Sequence, residues 1–126
     1  MKLKIVTTIL LSAVCLSVFA APPAVVNRYV DDFMIRMKSK TKMTEDQTHA
    51  LANILYEGIN EREDIIESYD GEKSLFAMRN MKEELQEANE VTVSDAREIL
   101  DQKQFEVFQQ IQADNREKLK KRLQDQ

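Results

Sequence analysis

Beyond residue 23 the apolar positions recur every three or four residues with charged residues between them. This is the period of an amphipathic helix, and no stretch alternates as a half-buried strand would. Val26, Val30, Phe33 and Met37, flanked by Tyr29 and Met34, predict a first helix from about Ala24 to Lys38 or Lys40. Leu51, Leu55, Ile59 and Ile66, joined by Ile54, Ile65 and Tyr69, form the stripe of a second helix, which ends at a turn over Tyr69-Asp70-Gly71. A third helix is expected from Glu72 to Asn89, with Leu75, Met78, Leu85 and Ala88 on one face and Phe76 and Met81 beside it. Thr92 or Ser94 is then expected to cap a short helical turn through Ile99. Phe105, Phe108, Ile111, Leu119 and Leu123 carry a fourth helix almost to the end of the chain.

Two of these helices start with the same pattern. Met43-Thr44-Glu45-Asp46-Gln47 and Leu100-Asp101-Gln102-Lys103-Gln104 each place an apolar residue before an N-cap, with a glutamine three residues after the cap. In such a box the cap side chain accepts from the N3 backbone N–H while the N3 side chain reaches back to the cap N–H. Leu100 and Phe105 also stand where a hydrophobic staple puts its two residues. Gly58 falls inside the second stripe, where glycine costs about 1 kcal/mol of helix propensity and allows a close helix approach. The stripes are narrow, so four long helices make a thin core. A dimer that completes the core is expected, with a monomeric bundle as the alternative.

Composition changes the picture at the N-terminus. Lys2 and Lys4 precede an apolar run from Ile5 to Leu16 that is shorter than the ~20 residues a spanning helix needs, and Val18-Phe19-Ala20 offers a cleavage site. Residues 1–20 therefore read as a cleavable secretory signal and 21–126 as a single helical domain. Removing 20 of 126 residues would leave 106. Cys15, the only cysteine, would leave with the leader, so the exported chain would hold no disulfide and no thiol nucleophile. Val14 and Ser12 before Cys15 do not suit a lipoprotein signal, and a soluble protein is expected. Two of the 18 basic residues would also leave while all 22 acidic ones stay, moving the formal charge from −4 to −6. That balance argues against nucleic-acid binding, which needs a basic face.

The paired boxes in an exported, thiol-free, all-helical chain resemble the Spy/CpxP periplasmic stress proteins, whose signature is a repeated Leu-Thr-x-x-Gln motif. Thr44, Gln47, Leu100 and Gln104 match it, Met43 stands for the first leucine and Asp101 for the second threonine. Both replacements keep the chemistry, since methionine is apolar and aspartate caps at least as well as threonine. The resemblance implies long antiparallel helices in a helical-hairpin, cradle-like domain completed by dimerisation. It also implies a periplasmic protein that holds misfolded or aggregation-prone envelope proteins without ATP. Two alternatives come with it: a regulator that docks on the periplasmic domain of an envelope-stress sensor kinase, and a periplasmic metal-binding stress protein.

The residues narrow the chemistry further. The chain has no Gly-rich phosphate loop and no Gly-x-Ser-x-Gly elbow, and its single histidine is His49, so no enzyme and no cofactor are expected. Glu83-Glu84 and the Glu61, Glu63, Asp64 group read as solvated helix faces. For a metal, His49 is the only imidazole, with Glu45 and Asn53 one turn to either side; it is a weak candidate, for a surface site or one shared across a dimer, and a lone histidine falls short of a dedicated zinc ligand set. Client binding needs apolar and charged groups side by side. Met34, Met37 and Met43 with Arg36, Lys38, Lys40 and Lys42 supply that mixture around the first connection. The same methionines suit a core, and the same lysines suit a solvated helix end.

Overall fold

A computed structural model describes residues 24–125. The expected leader with Cys15, both prolines, Gln126 and the side chain of Val26 lie outside the described residues. Within them the chain forms four α-helices and no strand: α1 (Ala24–Lys40), α2 (Glu45–Ser68), α3 (Leu75–Ile99) and α4 (Gln102–Gln124). The fold is all-α, as the 3.6-residue period predicts, and none of these helices is long and apolar enough to cross a membrane.

α2 and α3, with 24 and 25 residues, form an antiparallel hairpin of about 36 Å at 1.5 Å per residue. α1 has only 17 residues and packs against α2 and α4. The difference in length divides the molecule. Where all four helices meet, Phe33, Met37, Leu51, Phe108 and Ile111 are fully buried, with Val30, Leu55, Ala96, Leu100 and Phe105 around them. The rings of Phe33 and Phe108 lie 5.4 Å apart and tilted, Phe105 stacks on Phe108 at 6.0 Å, and the Arg97 guanidinium covers Phe105 at 4.6 Å. Beyond the reach of α1 the hairpin continues alone.

Each end of the hairpin has a local cause. Gly71 closes the turn with φ at +86°, a conformation that side chains rarely adopt. Beside it the Tyr69 hydroxyl donates to the Glu84 carboxylate. That bond, with the surrounding acids, pushes the phenol up to about 12. Gly58 sits at a close approach of the two helices. A Cβ built there would meet Thr92 Oγ1 at 2.6 Å, so the glycine that weakens the helix permits the contact.

The third helix departs from expectation in three ways. It starts at Leu75 with Ser74 as its cap, not at Glu72, because the Ser74 hydroxyl takes the Ala77 N–H at 3.0 Å. It also runs unbroken to Ile99, and neither Thr92 nor Ser94 caps a separate turn. No glycine or proline interrupts this stretch, and Thr92 Oγ1 bonds the Ala88 carbonyl one turn back at 3.3 Å. Finally, the start of its apolar stripe is not core. Leu75 is 83 % exposed, Phe76 70 % and Met78 53 %, because neither α1 nor α4 extends over them. Ile66 near the end of α2 is exposed as well, and Leu119 and Leu123 are exposed where the stripe of α4 runs on past its last packing partner.

Candidate functional site

Two places in the structure concern the residues singled out in the sequence: the meeting point of the paired motifs and the surface around the first connection.

Thr44 Oγ1 accepts from the Gln47 N–H at 3.0 Å, and Gln47 Oε1 accepts from the Thr44 N–H at 3.0 Å. Asp101 and Gln104 repeat the arrangement at 2.8 and 2.9 Å. Both expected capping boxes therefore form. The structure adds that they also dock on one another. Gln47 Nε2 donates to Gln104 Oε1 at 2.9 Å and Gln104 Nε2 donates to Gln47 Oε1 at 3.0 Å. The second hydrogen of each amide goes to the connection before the other helix, from Gln47 to the Ile99 carbonyl and from Gln104 to the Lys42 carbonyl. Each glutamine thus uses two acceptor and two donor positions, its full complement. Gln104 is the one buried polar residue among the described residues, and no buried side-chain polar atom there lacks a partner. Met43 packs against the core beside this knot and Leu100 is part of it. The six motif residues hold the starts of α2 and α4 together, which is a structural role.

The expected client surface is divided by the fold. Met34 and Met37 are in the core at 7 % and 0 % exposure, so they offer nothing to a partner in this conformation. Their i, i+3 spacing puts them on the same face as Val30 and Phe33. Arg36 is engaged, donating to Asn115 Oδ1 at 2.9 Å and to Asp114 Oδ2 at 3.2 Å, which ties α1 to α4. Met43 is half-buried. Lys38, Lys40 and Lys42 remain exposed, and Lys103 joins them from the start of α4.

No protein-family model, no curated protein and no solved structure matches the chain. The resemblance to the Spy/CpxP proteins accordingly rests on the motif residues and their setting.

The two most exposed large apolar side chains, Leu75 and Phe76, lie elsewhere, at the start of α3 beside the hairpin turn, with Met78 one turn on; Ile35 on α1, Val91 on α3 and Leu123 on α4 are exposed apart from them. Charged residues flank Leu75, Phe76 and Met78, with Glu67, Asp70, Glu72 and Lys73 on one side and Arg79 and Lys82 on the other. Helical periodicity placed these apolar residues on or beside the stripes of their helices without telling which part of a stripe is buried. Only the length of α1 against that of the hairpin distinguishes the two outcomes.

His49 is exposed on the first turns of α2, and no group of three His, Cys, Asp or Glu side chains among the described residues is arranged to hold a metal ion. One pair of carboxyls is perturbed. Glu57 is raised above its ordinary value by desolvation and then by the Asp95 charge across the hairpin. Asp95 is raised by desolvation and then by Glu98.

Proposed function

We propose that this protein is a periplasmic, ATP-independent stress protein that binds misfolded or aggregation-prone envelope proteins. The observation that carries this reading is the free end of the hairpin, where Leu75, Phe76 and Met78 are exposed together among charged residues. Clustered large apolar groups on a water-facing surface cost solubility unless they bind something. Leucine, phenylalanine and methionine on an unsupported arm offer area and adaptability with no fixed pocket, which suits clients that share no sequence. The leader expected at residues 1–20 supplies the address, and the resemblance of the paired motifs supports the class. In this reading the apolar contact lies at the hairpin end and not at Met34 and Met37. The exposed lysines 38, 40, 42 and 103 serve acidic client segments. A second copy of the chain is expected to associate through the narrow core.

The test is suppression of aggregation of a chemically denatured client by the purified protein without nucleotide, followed by light scattering. Slower aggregation at stoichiometric protein, lost in a Leu75→Ser/Phe76→Ser variant of unchanged helicity, supports the reading. Absence of suppression at large molar excess overturns it. A double variant as active as the parent removes the hairpin end as the contact.

A further inference from the structure

A half-open groove of about 470 Å³ lies between the hairpin and the fourth helix from Gln112 onward. That volume falls in the range of about 300–1,000 Å³ typical of small-molecule sites. Its floor is apolar: Leu55 and Ala88, both buried at the rear, with Ile59 and Leu119. Leu119 keeps half of its surface in water because the helical stripe that begins at Phe105 runs on past the last packing partner. The groove is therefore an apolar seam of the helix bundle that no side chain of the described residues fills.

The rim has a contrasting character. Arg62 comes from α2, and Arg116, Lys118 and Arg122 come from α4, against a single carboxylate, Glu63. None of the four cations takes part in an ion pair among the described residues, although the chain as a whole carries a net charge of −4. Arg36, one helix away, shows what this chain does with a cation that serves packing. Its guanidinium is satisfied by Asp114 and Asn115. Repulsion among the rim cations and the exposed apolar floor are both relieved by one kind of occupant, an anion with an apolar body.

We propose that this groove binds a single-chain anionic amphiphile of the long-chain carboxylate class. The tail would lie along Leu55, Ile59 and Leu119, and the headgroup would meet Arg62, Arg116 and Arg122. The groove spans about 15 Å along α4 from Gln112 to Arg122 at 1.5 Å per residue, which suits one extended chain. Helices stand on both sides of it, so a free monomer can enter where a bilayer surface cannot approach the floor. The site is separate from the free end of the hairpin and does not depend on client binding there.

Isothermal calorimetry of the purified protein with dodecanoate below its micellar concentration tests the assignment. The expected result is saturable binding of one dodecanoate per chain. Octanoate should bind at least tenfold more weakly, since each buried methylene is worth about fourfold in affinity. Arg62→Glu/Arg122→Glu should weaken dodecanoate at least tenfold through the headgroup, and Leu119→Ser should weaken it through the floor, both with unchanged helicity by circular dichroism. Equal binding of dodecyltrimethylammonium overturns the proposal, because the rim would then not discriminate charge. Binding only to phosphatidylglycerol vesicles overturns it in favour of a membrane surface. If the double variant alters the mass in light scattering but not dodecanoate affinity, a second copy of the chain occupies the groove and the proposal fails.

Discussion

At the scale of single residues, the motif glutamines illustrate how a local signal acquires a tertiary role. A capping box needs only four consecutive residues, and both boxes were legible in the sequence for that reason. The amide exchange between Gln47 and Gln104 joins positions 57 apart and has no local signature. Truncating Gln104 to alanine strands the Gln47 amide, the Lys42 carbonyl and the Asp101 N–H together. A loss of about 2–3 kcal/mol is expected in urea unfolding. Gln47→Leu/Gln104→Leu should cost less than the sum of the two single changes, by about 1–2 kcal/mol, because each single change leaves the other amide unpaired. Strict additivity would show that the two boxes act independently. Gly58 offers a second test. Alanine gains about 1 kcal/mol of helix propensity but drives a methyl into Thr92 Oγ1. Gly58→Ala should lower the melting temperature in the parent and raise it in a Thr92→Ala background. The same sign in both would mean that Thr92 turns aside at no cost.

At the scale of helices, the hairpin is held along its length by different means. Near the core it is held by Leu51, Leu55 and Ala96, in the middle by the Gly58–Thr92 approach, and toward the turn by the bond from Tyr69 to Glu84. In the near half, Glu57 and Asp95 are held above their ordinary values, so in the folded state they bind protons more tightly than in the unfolded chain. The stability that protonation of this pair confers is present at low pH and is lost as pH rises through the raised values. The pair therefore opposes the fold at neutral pH. Glu57→Gln/Asp95→Asn should raise the melting temperature at pH 7 and flatten its change between neutral and mildly acidic buffer. An unchanged pH profile would show that solvent screens both carboxyls. Arg36 gives the parallel case for α1. Arg36→Ala should cost about 0.5–1 kcal/mol, more than an exposed lysine such as Lys38, because its guanidinium is half-buried and bridges α1 to α4.

At the scale of the whole molecule, a four-helix core at one end and a bare two-helix arm at the other leave both an exposed apolar tip and an apolar seam under α4. Hydrogen exchange should follow this division, with slow amides around Phe33, Leu51 and Phe108 and fast ones from about Glu61 to Glu84. Uniform protection along the hairpin would mean that the arm is covered in solution. The sequence by itself determined the all-α class, three of the four helix starts to within a residue, both capping boxes and the turn at Gly71, but not the unbroken run of α3 to Ile99. What it determined depends on interactions within a few residues. It also marked the apolar stripes of α1, α2 and α4 and that of α3 as far as Ala88, because a side chain's place on a helix follows from spacing alone, but it missed Val93 and Ala96 beyond that point. Only the tertiary structure decided which part of each stripe is core. Met34 and Met37 lie where four helices converge, while Leu75, Phe76 and Met78, with the same spacing and the same hydrophobicity, lie where two helices run on unaccompanied. Burial depends on what stands opposite a side chain, and that is set by how far each helix extends past its neighbours, a quantity no window of a single sequence contains.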